Sequence, residues 1–427
     1  MGRVTHAWAI AVCLLAGPAA AQDHVGVFLT WPDDPTRGMV VNWVNLYPKN
    51  ATTVFFRRAD AADDADWSSA EAEQFQLEPS ALVMRRVELA GLAPDTLYRF
   101  GIGSLPDTPS QGWQFRTMPA TLDRPVRFVA GGDTMHARES LDRMNRQAAR
   151  LDPDFALLGG DLAYENGALA MRWIDWLESW TAAGVAPERR LIPLVVGIGN
   201  HEVRGGYGGA IPKDAPYYYG LFVRPGGRSH FAADVGDYLS LVMLDSGHTV
   251  PIPAQADWLG EALAARQARP FLFAAYHFPA YGTAKAPADK LPIEHPRSVE
   301  IREHWTPHLE RHGVSAVFEH DHHTFKRSHR LRGHRRDDAN GILYLGDGAW
   351  GVRTRPVPAP ADAWWLARAE SKNHLWCVNL RPPATPGAAP TALVRAIDAD
   401  GVVFDEFELL PIRTRPEAQA APVTAAD

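Results

Sequence analysis

The chain has 427 residues, of which 46% are hydrophobic and 22% charged, an ordinary balance for a globular protein. A single core seldom grows to that length, so more than one domain is expected. The net charge of -7 is spread along the chain with no basic patch, which argues against a nucleic-acid or anionic-membrane partner.

Residues 1–21 read as an export signal. Arg3 supplies the positive start, Ala7 to Ala16 is apolar but too short to span a bilayer, and Ala19-Ala20-Ala21 offers a cleavage site before Gln22. The expected product is periplasmic or secreted, with no membrane association once the signal is removed. Cys13 leaves with the signal, and Val12 before it argues against lipid attachment. The other cysteine, Cys377, lies in the apolar run Leu375-Trp376-Cys377-Val378 and is expected to be a buried thiol.

Residues 24–118 read as an all-β sandwich. Short strands are predicted over Val25 to Trp31, Met39 to Val44, Thr52 to Phe56, Val83 to Leu89, Leu97 to Ile102 and Trp113 to Thr117, with turn residues between them. The stretch Gly91 to Tyr98 resembles the tyrosine-bearing corner of a fibronectin type III domain. Met118 to Arg124 is the linker. Beyond it, strands alternate with helices over residues 124–412, the rhythm of a largely parallel sheet covered by helices. Strands are predicted at Val126 to Ala130, Asp154 to Leu158, Ile192 to Ile198, Tyr238 to Leu244 and Pro270 to Ala275. Helices are predicted at Glu139 to Arg150, Ala168 to Ala182, Ala254 to Arg266 and Val299 to His312. A hairpin, Leu393 to Phe404, is expected to close a second sheet against the first. Residues 413–427 are rich in Ala, Pro and Thr and are expected to be disordered.

The chemistry gathers at strand ends, where ligands of open α/β sheets bind. Gly132-Asp133, Gly160-Asp161-Leu162-Ala163-Tyr164, Gly199-Asn200-His201-Glu202, His277 and His320-Asp321-His322 each follow or end a hydrophobic run. A lone Asp after a strand is usually a turn former, but five such blocks together offer oxygen and nitrogen donors suited to metal ions. In an extended segment, residues two apart share a side, so His320 and His322 are expected to face one site while His323 faces away. The Gly-x-Ser-x-Gly elbow, the P-loop and the dinucleotide fingerprint do not occur. Asp245-Ser246-Gly247-His248 reads as a turn, with a place at the rim of the site as the alternative.

In order and content these blocks resemble the purple acid phosphatases, a branch of the calcineurin-like metallophosphoesterases, whose motifs run GDxG, GDxxY, GNH[DE], VxxH and GHxH. The resemblance implies a four-layer αββα catalytic domain of two mixed sheets behind a fibronectin-like module. It also implies a binuclear centre. Asp133, Asp161, Tyr164 and His322 would hold Fe(III). Asp161, Asn200, His277 and His320 would hold a divalent Zn, Mn or Fe ion, with Asp161 bridging. His201 would act on the substrate, oriented by Glu202. The reaction implied is hydrolysis of small phosphate monoesters by a metal-activated hydroxide. A phosphodiesterase with the same metals, or an exported binding protein with a weakly active metal site, are the alternatives.

The sequence departs from the family pattern in three places. Met135 stands near where GDxG ends, with His136 expected to point elsewhere. Glu319 precedes the last block where Gly is usual, and its charge is expected either to orient a liganding imidazole or to repel a phosphate dianion. No His follows the fourth block closely; Phe278 to Thr283 holds none, and His295 is the nearest later one.

Overall fold

A computed structural model describes residues 25–45, 51–62, 64–106, 112–186, 189–206, 211–358 and 362–411. The predicted signal segment and C-terminal tail lie outside them.

The strand sequences alternate between faces, and that alternation builds the layers. In the strand Val126–Gly131, Phe128 and Ala130 point into the core between two sheets while Val129 points to the helices. In Phe271–Ala275, Phe271, Phe273 and Ala275 meet the same central core, and Leu272 and Ala274 face the opposite helical layer. Phe128 touches both Phe273, at 5.5 Å between ring centroids, and Phe318, at 6.2 Å, so aromatic side chains lock the sheets face to face. Helices Arg138–Arg150 and Ala170–Ala183 cover the first sheet, burying Leu141, Met144, Trp173, Trp176 and Trp180. Helices Ala256–Ala264, Pro296–His304 and Thr306–Arg311 cover the second with Leu259, Ile301 and Leu309. The predicted long helix over Val299 to His312 is broken near Trp305, and Pro307 opens the second piece.

The first sheet has ten strands and runs through both parts of the chain. Strands Val126–Gly131, Phe155–Leu158 and Leu194–Val196 are mutually parallel, and Leu194–Val196 then pairs with Val25–Thr30 of the N-terminal sandwich at Thr30 and Leu194. The sandwich is therefore hydrogen-bonded to the α/β unit. Its second sheet likewise gains Arg190–Leu191, paired to Gln114. The predicted tyrosine corner is present as a contact: the Ala93 N–H donates to the Tyr98 hydroxyl at 2.9 Å.

The C-terminal hairpin, Thr391–Asp398 with Val403–Leu409, does not close the second sheet as expected. Its neighbour His374–Arg381 pairs antiparallel with Val126–Gly131, so the hairpin extends the edge of the first sheet. Trp376 and Val378 on that strand alternate into the central core. Cys377 points the other way and is buried, its thiol pushed up to about 11 by burial. Among the described residues no helix is long and apolar enough to cross a membrane.

Candidate metal centre

Three parallel strands of the first sheet end side by side, and the loops that follow carry Asp133, Asp161 and Asn200. From the facing sheet, Phe271–Ala275 and Ala316–Phe318 bring His277 and the 320–323 segment to the same place. The turns are sharp. Asp133, Asp161 and Tyr164 have φ near 55°, and Asp321 and His323 have φ of 73° and 57°. Left-handed backbone in non-glycine residues is costly and collects at functional sites. Glycine is needed where a neighbour comes close: a Cβ on Gly199 would stand 2.3 Å from Asp161 Oδ1 and 2.9 Å from His277 Cε1.

Glu202 holds these loops together. Its buried carboxylate accepts the N–H groups of Asp161 at 2.7 Å, Gly199 at 2.8 Å and Leu162 at 2.8 Å. It therefore does not orient His201, as expected from sequence. The His201 ring is held by Asn166, whose Oδ1 lies 2.6 Å from His201 Nδ1. That leaves His201 Nε2 free, 3.9 Å from Asp161 Oδ2, on a side chain 35% exposed.

One donor atom from each of Asp133, Asp161 and His277 lies within 4.8 Å of the other two, all three residues buried. Asp133 Oδ1, the Tyr164 hydroxyl and His323 Nε2 form a triangle with sides of 3.1, 3.1 and 3.0 Å. Neighbouring ligands of an octahedral ion at about 2.1 Å lie about 3 Å apart. His323 Nδ1 lies 3.3 Å from the Arg353 carbonyl, which can only accept, so the Nε2 lone pair is the one aimed at the triangle.

Beside Asp161, His277 is arranged in the same way. Its Nδ1 donates to the Gly159 carbonyl at 3.1 Å, and its Nε2 lies 3.2 Å from Asp161 Oδ2 and 3.7 Å from Asp321 Oδ1. Ser246 Oγ accepts the His277 N–H and fixes the loop. Asn200 Oδ1 is buried with no hydrogen-bond partner, as expected of an atom reserved for a cation.

The electrostatics have the same cause. Burial alone would lower His277, but Asp161, Asp133 and Asp321 raise it to about 10. Burial alone would raise Asp161, but His277 and His201 bring it down to about 2. Burial, then Asp133 and Asp161, push the Tyr164 phenol well up. Three buried carboxylates, Asp133, Asp161 and Asp321, facing two imidazoles, His277 and His323, and one phenol make an anionic cage, which a cation would relieve.

The last block sits one residue out of the register read from sequence. His320 and His322 make no close pair with Asp133 or Asp161, whereas His323 Nε2 lies 3.0 Å from Asp133 Oδ1 and Asp321 Oδ1 lies 3.7 Å from His277 Nε2. The strand Ala316–Phe318 ends before the block, and the left-handed Asp321 and His323 interrupt the extended backbone on which the two-residue alternation depends. His322 Nδ1 accepts the N–H groups of Thr283 and Ala284 at 2.8 and 3.1 Å, so its proton is on Nε2 and its ring has no lone pair for a metal. His320 donates from Nδ1 to the Tyr276 carbonyl, and its ring lies so close to Gly159 that a Cβ there would be 2.0 Å away. Burial lowers His320 to about 4.

Glu319 is also elsewhere. It is fully buried, accepts from the Tyr276 hydroxyl at 2.8 Å and the Ala280 N–H at 2.7 Å, and pairs with Lys326. Neither a liganding imidazole nor a phosphate meets it. His136 lies against Tyr164 and His323, with centroids 4.8 and 5.3 Å apart, rather than pointing elsewhere. His295 caps a helix, accepting the Arg297 N–H. Asp245 accepts the N–H groups of His248 and Thr249, the predicted turn.

Residues 25–117 match the model for the purple acid phosphatase N-terminal domain, and residues 126–324 match that for calcineurin-like phosphoesterases. A purple acid phosphatase isolated from yellow lupin (Lupinus luteus) seeds superposes with a TM-score of 0.74 at 16% identity, over 95% of this chain and 78% of that one. GAP50, the anchor in the inner membrane complex of Plasmodium, gives a TM-score of 0.47 at 10% identity, over 68% of this chain and 90% of that one. No curated protein matches the sequence. The lupin likeness speaks for the fold; the two models, in their order along the chain, speak for the family. With an N-terminal β-sandwich joined to a two-sheet phosphoesterase domain, the chain belongs to the purple acid phosphatase family, hydrolases of phosphoric ester bonds.

Proposed function

We propose that this chain is an exported phosphomonoesterase that works with two adjacent cations. The observation that carries the reading is a cluster of donors: Asp133 Oδ1, the Tyr164 hydroxyl and His323 Nε2 about 3 Å from one another, with Asp161 beside Asp133 and 3.2 Å from His277 Nε2; Asn200 Oδ1, from the neighbouring loop, is buried with no hydrogen-bond partner. In this reading Asp133, Tyr164, His323 and Asp161 hold the first ion. Asp161, Asn200, His277 and Asp321 hold the second. A phenolate and two carboxylates suit Fe(III); amide, imidazole and carboxylate donors suit Zn, Mn or Fe(II). When bound, such ions supply Lewis acidity toward phosphoryl oxygens and lower the pKa of water.

The chain's own residues do the rest. Glu202 fixes the loops that bear Asp161 and Asn200. His201, steadied by Asn166, presents Nε2 at the exposed edge, where it can meet a phosphate oxygen or pass a proton to the leaving group. Burial lowers His201, with Asp161 opposing. We place the enzyme in the periplasm or outside the cell, on the signal-like residues 1–21, and take the N-terminal sandwich as fibronectin III-like on the Tyr98 contact.

Monoesters are favoured over diesters because Glu319, whose charge was expected to repel a phosphate dianion, is buried in the core and paired with Lys326. The test is hydrolysis of an aryl phosphate against a bis-aryl phosphate by protein loaded with iron and a divalent metal. Faster monoester turnover is expected. Turnover of the diester alone would overturn the monoester assignment, and full loading with no hydrolysis of either would overturn the enzymatic one.

A further inference from the structure

Asp321 brings a problem with it. The last block's spacing puts a carboxylate where the family pattern has an imidazole. A neutral imidazole adds no charge to the cage, whereas Asp321 adds a full negative one. The side chain is only 4% exposed, so water does little to screen it. Extra negative charge would bind a divalent cation more tightly but would repel a phosphate.

The structure supplies a counter-charge. Lys285, in the loop after Thr283, reaches back so that Nζ donates to Asp321 Oδ1. This is the oxygen that lies 3.7 Å from His277 Nε2, whose ring nitrogen is also 3.2 Å from Asp161 Oδ2. The other neighbours of Asp321 leave that oxygen alone. Arg355 Nη1 donates to its backbone carbonyl at 2.8 Å, and His322 Nε2 stands 3.8 Å from Oδ2. The Lys285 side chain is itself 36% exposed, so its ammonium has one face to the cage and one to solvent. Taken together, Asp321 and Lys285 carry the same formal charge as one neutral imidazole.

We propose that Lys285 is a resident counter-cation of the second metal position. It competes with the divalent ion for Asp321 and remains at the mouth as a positive charge for the incoming phosphate. This deepens the two-cation reading and rests on it. It also sets two affinities against each other. The ammonium must weaken the second cation, since both seek the same oxygen. It must strengthen phosphate binding, since it offsets the added carboxylate.

The test uses the full chain and two probes. Zn²⁺ or Mn²⁺ binding is followed by equilibrium dialysis with metal analysis, and inorganic phosphate binding by calorimetry on the metal-loaded protein. Lys285→Met is expected to bind the second divalent ion about tenfold more tightly and phosphate about tenfold more weakly. Lys285→Arg, which keeps the charge, is expected to stay within about threefold of wild type for phosphate. A loosened loop would weaken both ligands. Both affinities unchanged in Lys285→Met, or both moving the same way, overturns the role of Lys285 while leaving the two-cation reading intact. A wild type that takes up no divalent ion overturns both.

Discussion

The two halves of the cage around Asp161 are built on different principles. On the Tyr164 side, a carboxylate, a phenol and an imidazole stand about 3 Å apart, the donor set proposed for the trivalent ion. On the His277 side, a buried carboxylate has replaced an imidazole and has brought its own ammonium. In the proposed reading the first half contributes donors alone, whereas the second also contributes an ammonium, Lys285, on Asp321. In that reading a family's cage keeps its place in the fold while the balance of charge inside it is redistributed between two side chains, Asp321 and Lys285.

The sharpest way to break the comparison is to remove what the halves share. Asp161→Ala is expected to lose both ions and to cut turnover by about a thousandfold or more, read by metal analysis and aryl phosphate hydrolysis. Retention of either ion at wild-type affinity would show that Asp161 serves one half only.

The next largest effect separates the two buried or half-buried lysines. Lys326 is fully buried between Glu319 and Asp347, so Lys326→Met leaves two carboxylates uncompensated and is expected to cost about 3–5 kcal/mol in denaturant unfolding. Lys285→Met, at the rim, is expected to cost less than about 1 kcal/mol. Equal losses would mean that Lys285 is a structural lysine after all.

Register is tested by a pair of histidines. His323→Ala is expected to weaken the first ion about a hundredfold and to abolish any tyrosinate-to-iron visible band. His322→Gln is expected to leave both intact. The reverse pattern would restore the spacing read from sequence.

The smallest effect isolates chemistry from the cage. His201→Ala is expected to lower kcat by roughly 10²-fold with metal content unchanged. Loss of metal in that variant would place His201 among the ligands.

Much of this was legible because it depends on local pattern. The alternation in Val126–Gly131 and Phe271–Ala275, and the turn residues between strands, fix where the sheets run. The Asp and Asn after three parallel strands meet because parallel strands end on one side. What was not legible depends on backbone that leaves the regular periods. The run His320-Asp321-His322-His323 offers two equal spacings, His320 with His322 and Asp321 with His323. Only the left-handed turns at 321 and 323 choose between them. Lys285 carries no local sign at all, since its partner is 36 residues away and the contact is made by a loop. Glu319 next to a histidine run invited a role at the site, but strand alternation at the end of Ala316–Phe318 sends it toward Lys326 instead.

The central claim is that two ions share Asp161, one completed by His323 and the other by Asp321. Crystals of protein loaded with iron and manganese, measured for anomalous scattering at each metal's absorption edge, test it most directly. The account predicts two peaks about 3.5 Å apart flanking Asp161, one against Tyr164 and His323 and the other against Asn200, His277 and Asp321. A single peak, or ions bound by His320 and His322, would contradict it.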